Sequence, residues 1–388
     1  MPSEELVERI VRVVRPWLAP DSPWMARACS EMPEATGFHP AMIAHALPFQ
    51  LELLEAAAIR AVVERELGSL RALDEADWPL RVIVHVVAGN IPALAAVPIA
   101  FGLLAKQATI VKPASGDPLF PDLFHCSLRS MDPELARAVA IVEWRGGAAG
   151  IEDVVFDAAD VVVAMGGAVT MASLQSRLGS KLRAFGPRLS FALVGKECLQ
   201  SLEEANRWAC ALAYDVSVWD QRGCLSPQIA YVERGAPVEV AEFAAMVGDA
   251  LQRFSTELPP RRLTLAEQVA VRLFRAEAEW QDGVRLLASQ GDLSWTVTVE
   301  PRPSFTPTPQ HRCLRVQPIA HVEEILPVVA EHRAWLEAAG LAVGPQRWAD
   351  TANALQESGV HWVTTLGTMQ RPTLEWRPGG RDRIKDWL

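Results

Sequence analysis

Two spacings of hydrophobic residues divide the chain into segments of different character. Over residues 1–75 the apolar side chains recur at helical spacing, as Leu6, Ile10 and Val13 do, and this period is typical of amphipathic helices. At residues 81–87, RVIVHVV, the hydrophobic run becomes nearly continuous and rich in β-branched residues. Such a run predicts a strand that is buried on both faces of a sheet.

Short strands and helices then alternate along the chain. The segment IPALAAVPIAFGLLAK has a proline near its start and predicts a helix over 91–106. Further strands are predicted at 108–113, 138–144, 160–165 and 189–195, and a further helix at 168–178. This alternation indicates a parallel sheet that is covered by helices, and therefore an α/β fold.

The second half of the chain is also mixed. Strands are predicted at 228–234, 294–301 and 313–319, helices at 237–254, 264–281 and 321–339, and a proline-rich exposed loop at 301–310. We expect four regions, namely N-terminal helices that pack on the next domain (1–80), a parallel-sheet domain (81–195), a second α/β domain (196–365) and a C-terminal tail (366–388).

Length, composition and net charge indicate the number of domains and exclude some classes of ligand. The 388 residues allow two or three domains, half of the residues are hydrophobic, and the formal net charge is -10. An acidic chain is a poor general binder of nucleic acid or of anionic membranes, because both need a basic face. A local basic pocket for a phosphate-bearing ligand stays compatible with this charge.

One hydrophobic stretch has the length of a membrane span. Residues 82–105 contain no Asp, Glu, Lys or Arg, and a transmembrane helix needs about 20 predominantly apolar residues. The stretch is interrupted, however, by Gly89, Asn90, Pro92 and Pro98. These residues favour a buried strand, a turn and a helix over a span.

Six cysteines are scattered along the chain at positions 29, 126, 198, 210, 224 and 313. They form no CxxC pair and are too sparse for a disulfide framework or a structural zinc site. We expect reduced thiols, no metal and a cytoplasmic protein. The N-terminal sequence MPSEELVERIVRVV has early acidic residues and no long apolar core, which is not the pattern of a secretory signal.

The common catalytic and nucleotide-binding motifs are missing from the sequence. There is no GxxxxGK[ST], HExxH or GxSxG, and RGGAAG at 145–150 is not GxGxxG. One feature of interest is Cys224 in GCLSPQ, a cysteine in polar, turn-like sequence. A thiolate in electropositive surroundings is a good nucleophile, and Gly223 lets a substrate approach the backbone. The alternative is an unreactive structural thiol.

Three more features follow predicted strands of the first sheet. Asn90 in GNIP has an amide that can donate to an oxyanion, or it caps a helix. Lys112 in VKPAS can reach a ribose or phosphate, or is a solvated lysine in a turn. Gly166 and Gly167 in AMGG form a turn that a pyrophosphate can approach, or simply a turn. Because the carboxyl ends of parallel strands meet at one edge, we expect these residues to lie together.

The order of these features resembles the aldehyde dehydrogenase superfamily. Within it the chain is most similar to acyl-CoA reductases of the bacterial bioluminescence fatty acid reductase type, over roughly residues 80–375. The resemblance is carried by HVVAGNIP, ATIVKPASGDPL, VVVAMGGAV, FGPRLSFALVG, the closing TLGTMQRP and LEWRPGG and, most specifically, WDQRGCLSPQ.

The resemblance implies a role for each candidate residue. Cys224 matches the nucleophile that forms a thioester, and Asn90 matches the asparagine that forms an oxyanion hole with the backbone N–H of the cysteine. Lys112 matches the lysine that contacts the cofactor ribose, and Gly166 and Gly167 match the turn over the nicotinamide cofactor. The 81–195 region is then the cofactor-binding domain, and 196–365 is the catalytic domain with the nucleophilic cysteine. This binding mode differs from the ordinary Rossmann one, which explains the missing GxGxxG.

Two departures from the superfamily pattern are informative. Hydrolytic members carry a general-base glutamate near the position that Ala184 occupies here, and without such a base an acyl-enzyme resists hydrolysis. NAD-preferring members carry a glutamate where this chain has Ser115. A serine there does not repel a 2′-phosphate, so we expect NADPH to serve at least as well as NADH. The alternative is that Ser115 is merely a turn residue.

The resemblance therefore implies an acyl-thioester reductase, an oxidoreductase that forms an aldehyde through a cysteine acyl-enzyme with NADPH, or NADH, as hydride donor. Three alternatives stay open: an acyl-phosphate reductase, a hydrolytic aldehyde dehydrogenase, and an acyl-carrying partner subunit that turns over poorly. The expected partners are acyl-CoA or a carrier-bound acyl group, an acyl-donating enzyme and further copies of the chain in a homo-oligomer, with no nucleic acid.

Overall fold

Two structural units divide the chain. A computed structural model describes residues 1–75 and 79–387. The first unit comprises Met1–Pro187 together with Pro372–Leu388, and the second comprises Arg188–Arg371. The second unit is thus inserted between two parts of the first. No helix in the described ranges combines the length and the hydropathy that a membrane crossing requires.

The N-terminal part of the first unit is helical, as the sequence predicts. Its helices are α1 (Ser3–Leu18), α2 (Pro23–Thr36), α3 (Pro40–Glu52), α4 (Ala56–Leu67) and α5 (Ala72–Glu75). The apolar face of α1 is buried, with Leu6, Ile10 and Val13 almost inaccessible to solvent. The Ser22 side chain accepts a hydrogen bond from the Met25 N–H and so caps α2.

A five-stranded parallel sheet forms the centre of the first unit. Its strands are β1 (Val82–Val86), β2 (Ala108–Lys112), β3 (Val139–Ile141), β4 (Val161–Met165) and β5 (Leu182–Phe185), in the order β3-β2-β1-β4-β5. The connecting helices are α6 (Ala96–Leu104), α7 (Phe120–Met131), α8 (Pro133–Ala136), α9 (Ala149–Ala158) and α10 (Ala168–Leu178). In the middle of the sheet Val84 is fully buried between Ile110 and Val162. The strand order reverses between β1 and β4, which creates a crevice at their carboxyl ends.

Helix α6 begins later than the sequence predicts. The prediction places its start at residue 91, but α6 begins only at Ala96. The preceding turn contains Ala93 in the left-handed conformation, with φ of 68°. The buried Asp117 carboxylate accepts the N–H of Ala93 (3.2 Å) and of Phe120 (3.2 Å). This long-range hydrogen bond holds the turn open, and no local sequence pattern reports it.

A seven-stranded sheet forms the centre of the second unit. Its strands are β6 (Leu189–Val194), β7 (Pro227–Glu233), β8 (Arg285–Ala288), β9 (Thr296–Val299), β10 (Cys313–Ile319), β11 (Leu336–Ala342) and β12 (Trp362–Thr365). The order is β12-β11-β6-β7-β10-β9-β8, and the pairs are parallel except for β8 with β9. The helices are α11 (Leu202–Ser217), α12 (Val240–Glu257), α13 (Leu265–Trp280), α14 (Leu326–Ala330) and α15 (Pro345–Glu357). Strand β6, which the sequence groups with the first sheet, pairs here with β7 and β11.

The predicted helix at 321–339 is wrong. The structure has the short helix α14 between two 3-10 turns (Val322–Glu324 and Arg333–Trp335), followed by strand β11. The sequence LEAAGLA has helix-forming alanines, but every residue of it is buried between β6 and β12. At Gly340 an added Cβ would lie 2.5 Å from the Met369 sulfur, so the strand also needs small residues to pass beneath the 366–369 turn. Tertiary packing overrides local propensity here.

The C-terminal segment returns to the first unit. The Glu66 side chain is fully buried and accepts the backbone N–H groups of Arg383 (3.0 Å) and Ile384 (2.8 Å). The Trp387 ring lies edge-on to the buried His85 ring at 5.0 Å. The segment 372–387 is therefore part of the core of this unit.

Gly116 is a position where the fold requires glycine. A Cβ added there would overlap the carbonyl oxygen of Gly89, because the loops after β1 and β2 touch at these two residues. We expect Gly116→Ala to lower the free energy of unfolding by about 1–3 kcal/mol, measured by urea denaturation. Gly146→Ala is the control, since its Cβ would meet nothing within 4 Å. Equal stability of the two variants would contradict this close contact.

Candidate active site

Cys224 lies on a loop with an unusual backbone. The loop follows α11, and Trp219, Asp220 and Gln221 all adopt the left-handed conformation, with φ of 55°, 51° and 62°. Each non-glycine residue in this region costs roughly 1–3 kcal/mol and persists only where its surroundings impose it. A second left-handed run occurs at residues 310–312, just before β10, with φ of 64°, 56° and 58°.

Buried polar contacts join these two left-handed turns. The Arg312 guanidinium and the Asp220 carboxylate form an ion pair at 2.7 Å, and both side chains are almost completely buried. The Gln221 amide donates to the carbonyl oxygens of Pro227 (2.7 Å) and Cys313 (2.7 Å) and accepts the Cys313 N–H (2.9 Å). These contacts hold the backbone that leads into Cys224.

The backbone at Cys224 is also fixed from the sheet side. The Ser190 hydroxyl of β6 donates to the Cys224 carbonyl oxygen (2.7 Å) and accepts the Ala338 N–H of β11 (3.0 Å). On the far side of the loop, the Ser226 hydroxyl donates to the Gln370 side-chain oxygen (3.4 Å). Cys224 is therefore held between two strands and the 366–370 turn.

A buried carboxylate organises that turn. Asp215 of α11 accepts the N–H groups of Gly367 (2.5 Å) and Met369 (3.1 Å). Burial raises the pKa of Asp215 to about 8, and the backbone hydrogen bonds act in the opposite direction. The backbone N–H of Gln370 also donates to Asp215, which therefore positions Gln370 directly.

The Cys224 thiol is held in its protonated form. Burial raises its pKa above the ordinary value, and the negative charge of Glu337 raises it further. The backbone N–H groups of Cys224 and Leu225 and the Arg188 guanidinium lower it by smaller amounts. Glu337 itself is buried on β11, 3.6 Å from Arg188. Nucleophilic attack by Cys224 therefore requires that a nearby group take up its proton.

Sequence reasoning missed Glu337 and the residues that hold the Cys224 loop. Glu337 lies in the segment that was predicted as helix, so no pattern placed it beside a strand-end loop. Ser190 lies within FGPRLSFALVG, where it has no distinguishing feature of its own. Arg312 is separated from Asp220 by 92 residues, and no local spacing connects the two.

The other cysteines lie in different surroundings. All six are free thiols. Cys198 and Cys313 are buried, and burial raises the pKa of each to about 12. Cys126 lies on the surface helix α7 of the first unit. Its partial exposure without a braced loop makes it a suitable control for Cys224.

The structure brings the other sequence-predicted site residues to one edge of the first sheet. Asn90 follows β1, Lys112 ends β2, and Gly166 follows β4. These three strands are adjacent and parallel, with β1 in the middle. Asn90 and Gly166 therefore flank the crevice where the strand order reverses, which is where open α/β sheets bind ligands.

Lys112 is half-buried beside an aromatic ring. Its ammonium nitrogen lies 5.6 Å from the centre of the Trp144 ring and donates to the Pro113 carbonyl oxygen (3.0 Å). Burial lowers its pKa, and the carboxylates of Glu152 and Glu143 act in the opposite direction. The side chain is a constrained cation and differs from the solvated lysine of the alternative interpretation.

Asn90 and Ser115 occupy turns. Asn90 does not cap α6, because that helix begins at Ala96 with Ala95 as its N-cap residue. Ser115 is exposed in a tight turn in which the Asp117 N–H donates to the Ala114 carbonyl oxygen (3.1 Å). Ser115 thus lies in a turn, as the alternative interpretation requires. Its contact with a cofactor stays a prediction.

Gly166 and Gly167 place no side chain at the carboxyl end of β4. Gly167 is the N-cap residue of α10 and has no side chain to cap the first-turn N–H groups. A Cβ on Gly167 would meet nothing within 4 Å, and one on Gly166 would only touch Met171 at 3.4 Å. Uncapped N–H groups at a helix N-terminus favour a phosphate group. The residues at this edge therefore fit a nicotinamide dinucleotide.

Ala184 lies inside β5, paired with Ala164 of β4. Neither Ala184 nor its neighbours Arg183 and Phe185 carries a carboxylate, and the match of this position to the base of hydrolytic dehydrogenases stays a prediction. In the part of the chain that the structure describes, no cluster of His, Cys, Asp or Glu side chains is suited to a metal ion.

Removal of the Glu337 charge tests the electrostatic environment of the thiol. Because Glu337 raises the pKa of Cys224, Glu337→Gln should lower that pKa and increase the thiolate fraction at neutral pH. We expect iodoacetamide to alkylate Cys224 severalfold faster at pH 7, measured by mass spectrometry of the Cys224 peptide. Glu331→Gln, a change at an exposed carboxylate of the same unit, is the control. An unchanged rate of Cys224 alkylation in Glu337→Gln would refute the electrostatic effect.

Comparison with known proteins places the chain in a family. A long-chain acyl-protein thioester reductase from Aliivibrio fischeri is 27% identical over 303 residues, which covers 72% of this chain and 60% of the relative. The chain thus spans less than two thirds of the length of that relative. Among solved structures, an oxidoreductase from Marinobacter aquaeolei superposes with a TM-score of 0.77 at 14% identity, covering 99% of this chain and 84% of the other.

An indole-3-acetaldehyde dehydrogenase in complex with NAD⁺ superposes with a TM-score of 0.70 at 15% identity, covering 94% of this chain and 76% of the other. These superpositions establish the aldehyde dehydrogenase fold that the sequence predicts. The model of the family described as acyl-CoA reductase (LuxC) matches residues 1–379. The chain therefore belongs to the acyl-CoA reductase (LuxC) family.

Proposed function

We propose that the protein is an acyl-thioester reductase that forms an aldehyde through an acyl group carried on Cys224. The observation that supports this most directly is the braced loop of Cys224, whose left-handed residues are held by buried contacts. Strain of this kind is characteristic of functional sites. The description of the family and the names of the relatives agree with acyl reduction.

In the first step the Cys224 sulfur attacks the acyl carbonyl carbon of a thioester. A new carbon–sulfur bond forms, the bond to the sulfur of the donor breaks, and the donor leaves as a thiolate that takes up the proton released by Cys224. The proton of Cys224 has to leave as the attack proceeds, and Glu337 is the proposed acceptor because its charge already acts on the thiol. The Arg188 guanidinium lies 3.6 Å from the Glu337 carboxylate and would hold it in position.

Stabilisation of the tetrahedral intermediate is assigned to two donors. The side-chain amide of Asn90 and the backbone N–H of Cys224 would donate to the oxyanion, as the resemblance implies. The hydrogen bond from Ser190 to the Cys224 carbonyl fixes the peptide plane at this residue and so orients the loop.

A nicotinamide cofactor would supply the hydride to the acyl carbon. The bond from that carbon to the Cys224 sulfur would then break, so that the aldehyde leaves and the Cys224 thiolate takes up a proton from water. The residues proposed to hold it are Lys112, Gly166 and Gly167, at adjacent strand ends with the uncapped N-terminus of α10. NADPH is the proposed form, because Ser115 puts no carboxylate against a 2′-phosphate. NADH is the alternative, and the related structure that contains NAD⁺ keeps it open.

Resistance of the acyl group to water follows from the missing base. With Ala184 in β5 no carboxylate at that position can activate water, so the acyl group awaits reduction. The relatives are named for acyl groups carried on protein, and a carrier-bound donor is therefore proposed alongside acyl-CoA.

Replacement of Cys224 tests the proposal. Cys224→Ala should abolish aldehyde formation from acyl-CoA and leave folding and cofactor binding unchanged, because it removes only the sulfur. The assay follows cofactor absorbance with a panel of acyl-CoAs, and aldehyde is identified separately. Cys126→Ala should retain most activity. Normal turnover by Cys224→Ala would rule out the covalent route.

A second prediction concerns the choice of cofactor. Ser115→Glu should raise the KM for NADPH much more than that for NADH, by roughly tenfold or more, since about 1.4 kcal/mol of repulsion corresponds to that factor. Both constants are measured with one acyl-CoA at saturation. A wild-type enzyme with a strong preference for NADH, and a ratio that Ser115→Glu leaves unchanged, would show that the adenosine site lies elsewhere.

A further inference from the structure

A basic pocket of about 300 Å³ lies in the second unit, outside the residues assigned above to chemistry. The segment 260–263 before α13, the first turns of α13, the 292–294 turn and the 311–312 turn surround it. Four arginines line it, namely Arg261, Arg262, Arg272 and Arg312. We call it the arginine pocket.

The acidic residues of the arginine pocket are already engaged. Asp220 forms the buried ion pair with Arg312 and accepts the Arg261 N–H (2.9 Å). Asp292 accepts the Ser294 N–H (3.0 Å) and the Ser294 hydroxyl. Four arginines against these two aspartates leave the lining with a net positive charge, in a chain whose formal net charge is -10.

Several nitrogen atoms of the basic residues in the arginine pocket have no protein partner among the described residues, although Arg261 and His311 each pair with Glu267 through another nitrogen. Among the described residues, neither Arg262 nor Arg272 forms an ion pair, and both are exposed. Arg261 and His311 have side chains at least nine-tenths buried, at 9% and 6% exposure. Yet the Arg261 Nε and the His311 Nδ1 have no hydrogen-bond partner in the described structure. Buried polar groups without partners are uncommon and call for an explanation such as a ligand.

The arginine pocket shares its wall with the loop of Cys224. Asp220 belongs to the left-handed run that leads into Cys224, and Arg222 contacts Glu267 (3.0 Å), the carboxylate that also pairs with Arg261. A ligand in the arginine pocket would therefore contact the loop that carries the Cys224 thiol. The residues proposed for the nicotinamide cofactor lie instead in the first unit.

We propose that the arginine pocket binds the phosphate of a 4′-phosphopantetheine group, the part that CoA and acyl-carrier proteins share, with Arg262 and Arg272 as its principal donors. This inference rests on the proposed function, in that it names the donor whose thioester Cys224 attacks. This phosphate is a singly charged diester in an acyl-carrier protein and part of the diphosphate in CoA, and its charged oxygens match guanidinium groups, which donate charge-assisted hydrogen bonds in pairs. The flexible pantetheine arm then carries the thioester away from the phosphate.

Calorimetric titration of the full chain tests the proposal with 4′-phosphopantetheine, pantetheine and CoA. The wild-type protein should bind 4′-phosphopantetheine at least about tenfold more tightly than pantetheine, which lacks only the phosphate. Arg262→Ala and Arg272→Ala should each remove about tenfold of this difference and leave pantetheine binding unchanged. Arg285→Ala, an exposed arginine of the same unit outside the pocket, is the control.

Three results would overturn the assignment, and the third is measured by a parallel titration with NADPH. Equal affinities for 4′-phosphopantetheine and pantetheine, or equal effects of Arg272→Ala and Arg285→Ala, would show that the pocket binds no donor phosphate. A loss of NADPH affinity alone would assign the phosphate to the cofactor. The titrations are repeated with Cys224→Ala, which should bind 4′-phosphopantetheine normally. Failure of the proposed chemistry is therefore distinguishable from failure of the phosphate site.

Discussion

A buried ion pair between Asp220 and Arg312 fixes the backbone around Cys224, the candidate nucleophile of the second unit. The pair joins two left-handed turns that neither chain segment would adopt alone, and an uncompensated buried charge would cost roughly 3–5 kcal/mol if either partner were lost. One turn leads into Cys224, and the other opens β10. The same two residues form part of the wall of the arginine pocket, so nucleophile and pocket share one rigid frame.

The raised pKa of the Cys224 thiol follows from its burial and from the nearby charge of Glu337. A partly buried sulfur beside the Glu337 carboxylate stays protonated, and oxidation and alkylation both act on the thiolate. The resting protein therefore keeps its candidate nucleophile unreactive. In the proposed reaction the proton moves to Glu337 only when a carbonyl carbon is present to take the sulfur electrons, which ties reactivity to the bound substrate.

The elements that local pattern determines could be predicted from the sequence. β1, β2 and β4 follow from their hydrophobic runs, β10 follows from CLRVQPI despite its Arg315 and Gln317, and helix 168–178 matches α10. Asn90 and Lys112 were found as polar residues after predicted strands, and Cys224 was found as a cysteine in polar, turn-like sequence. The features that could not be predicted depend on residues far away in the sequence. β11 is alanine-rich and forms a strand because it pairs with β6 and β12. Because this segment was predicted as helix, Glu337 was not recognised as a neighbour of Cys224. Likewise, nothing near Asp220 in the sequence indicates Arg312.

The return of the C-terminal segment to the first unit has a consequence for synthesis on the ribosome. Glu66 is buried, yet the backbone N–H of Arg383 that it accepts lies 317 residues later in the chain. During translation the N-terminal helices and the first sheet emerge long before residues 383 and 384, and the second unit must be made in between. Until then the Glu66 carboxylate has no backbone donors from this segment, and His85 lacks the Trp387 ring that covers it. The first unit is thus the first to emerge and the last to be completed, and a nascent chain arrested before residue 383 would expose this surface.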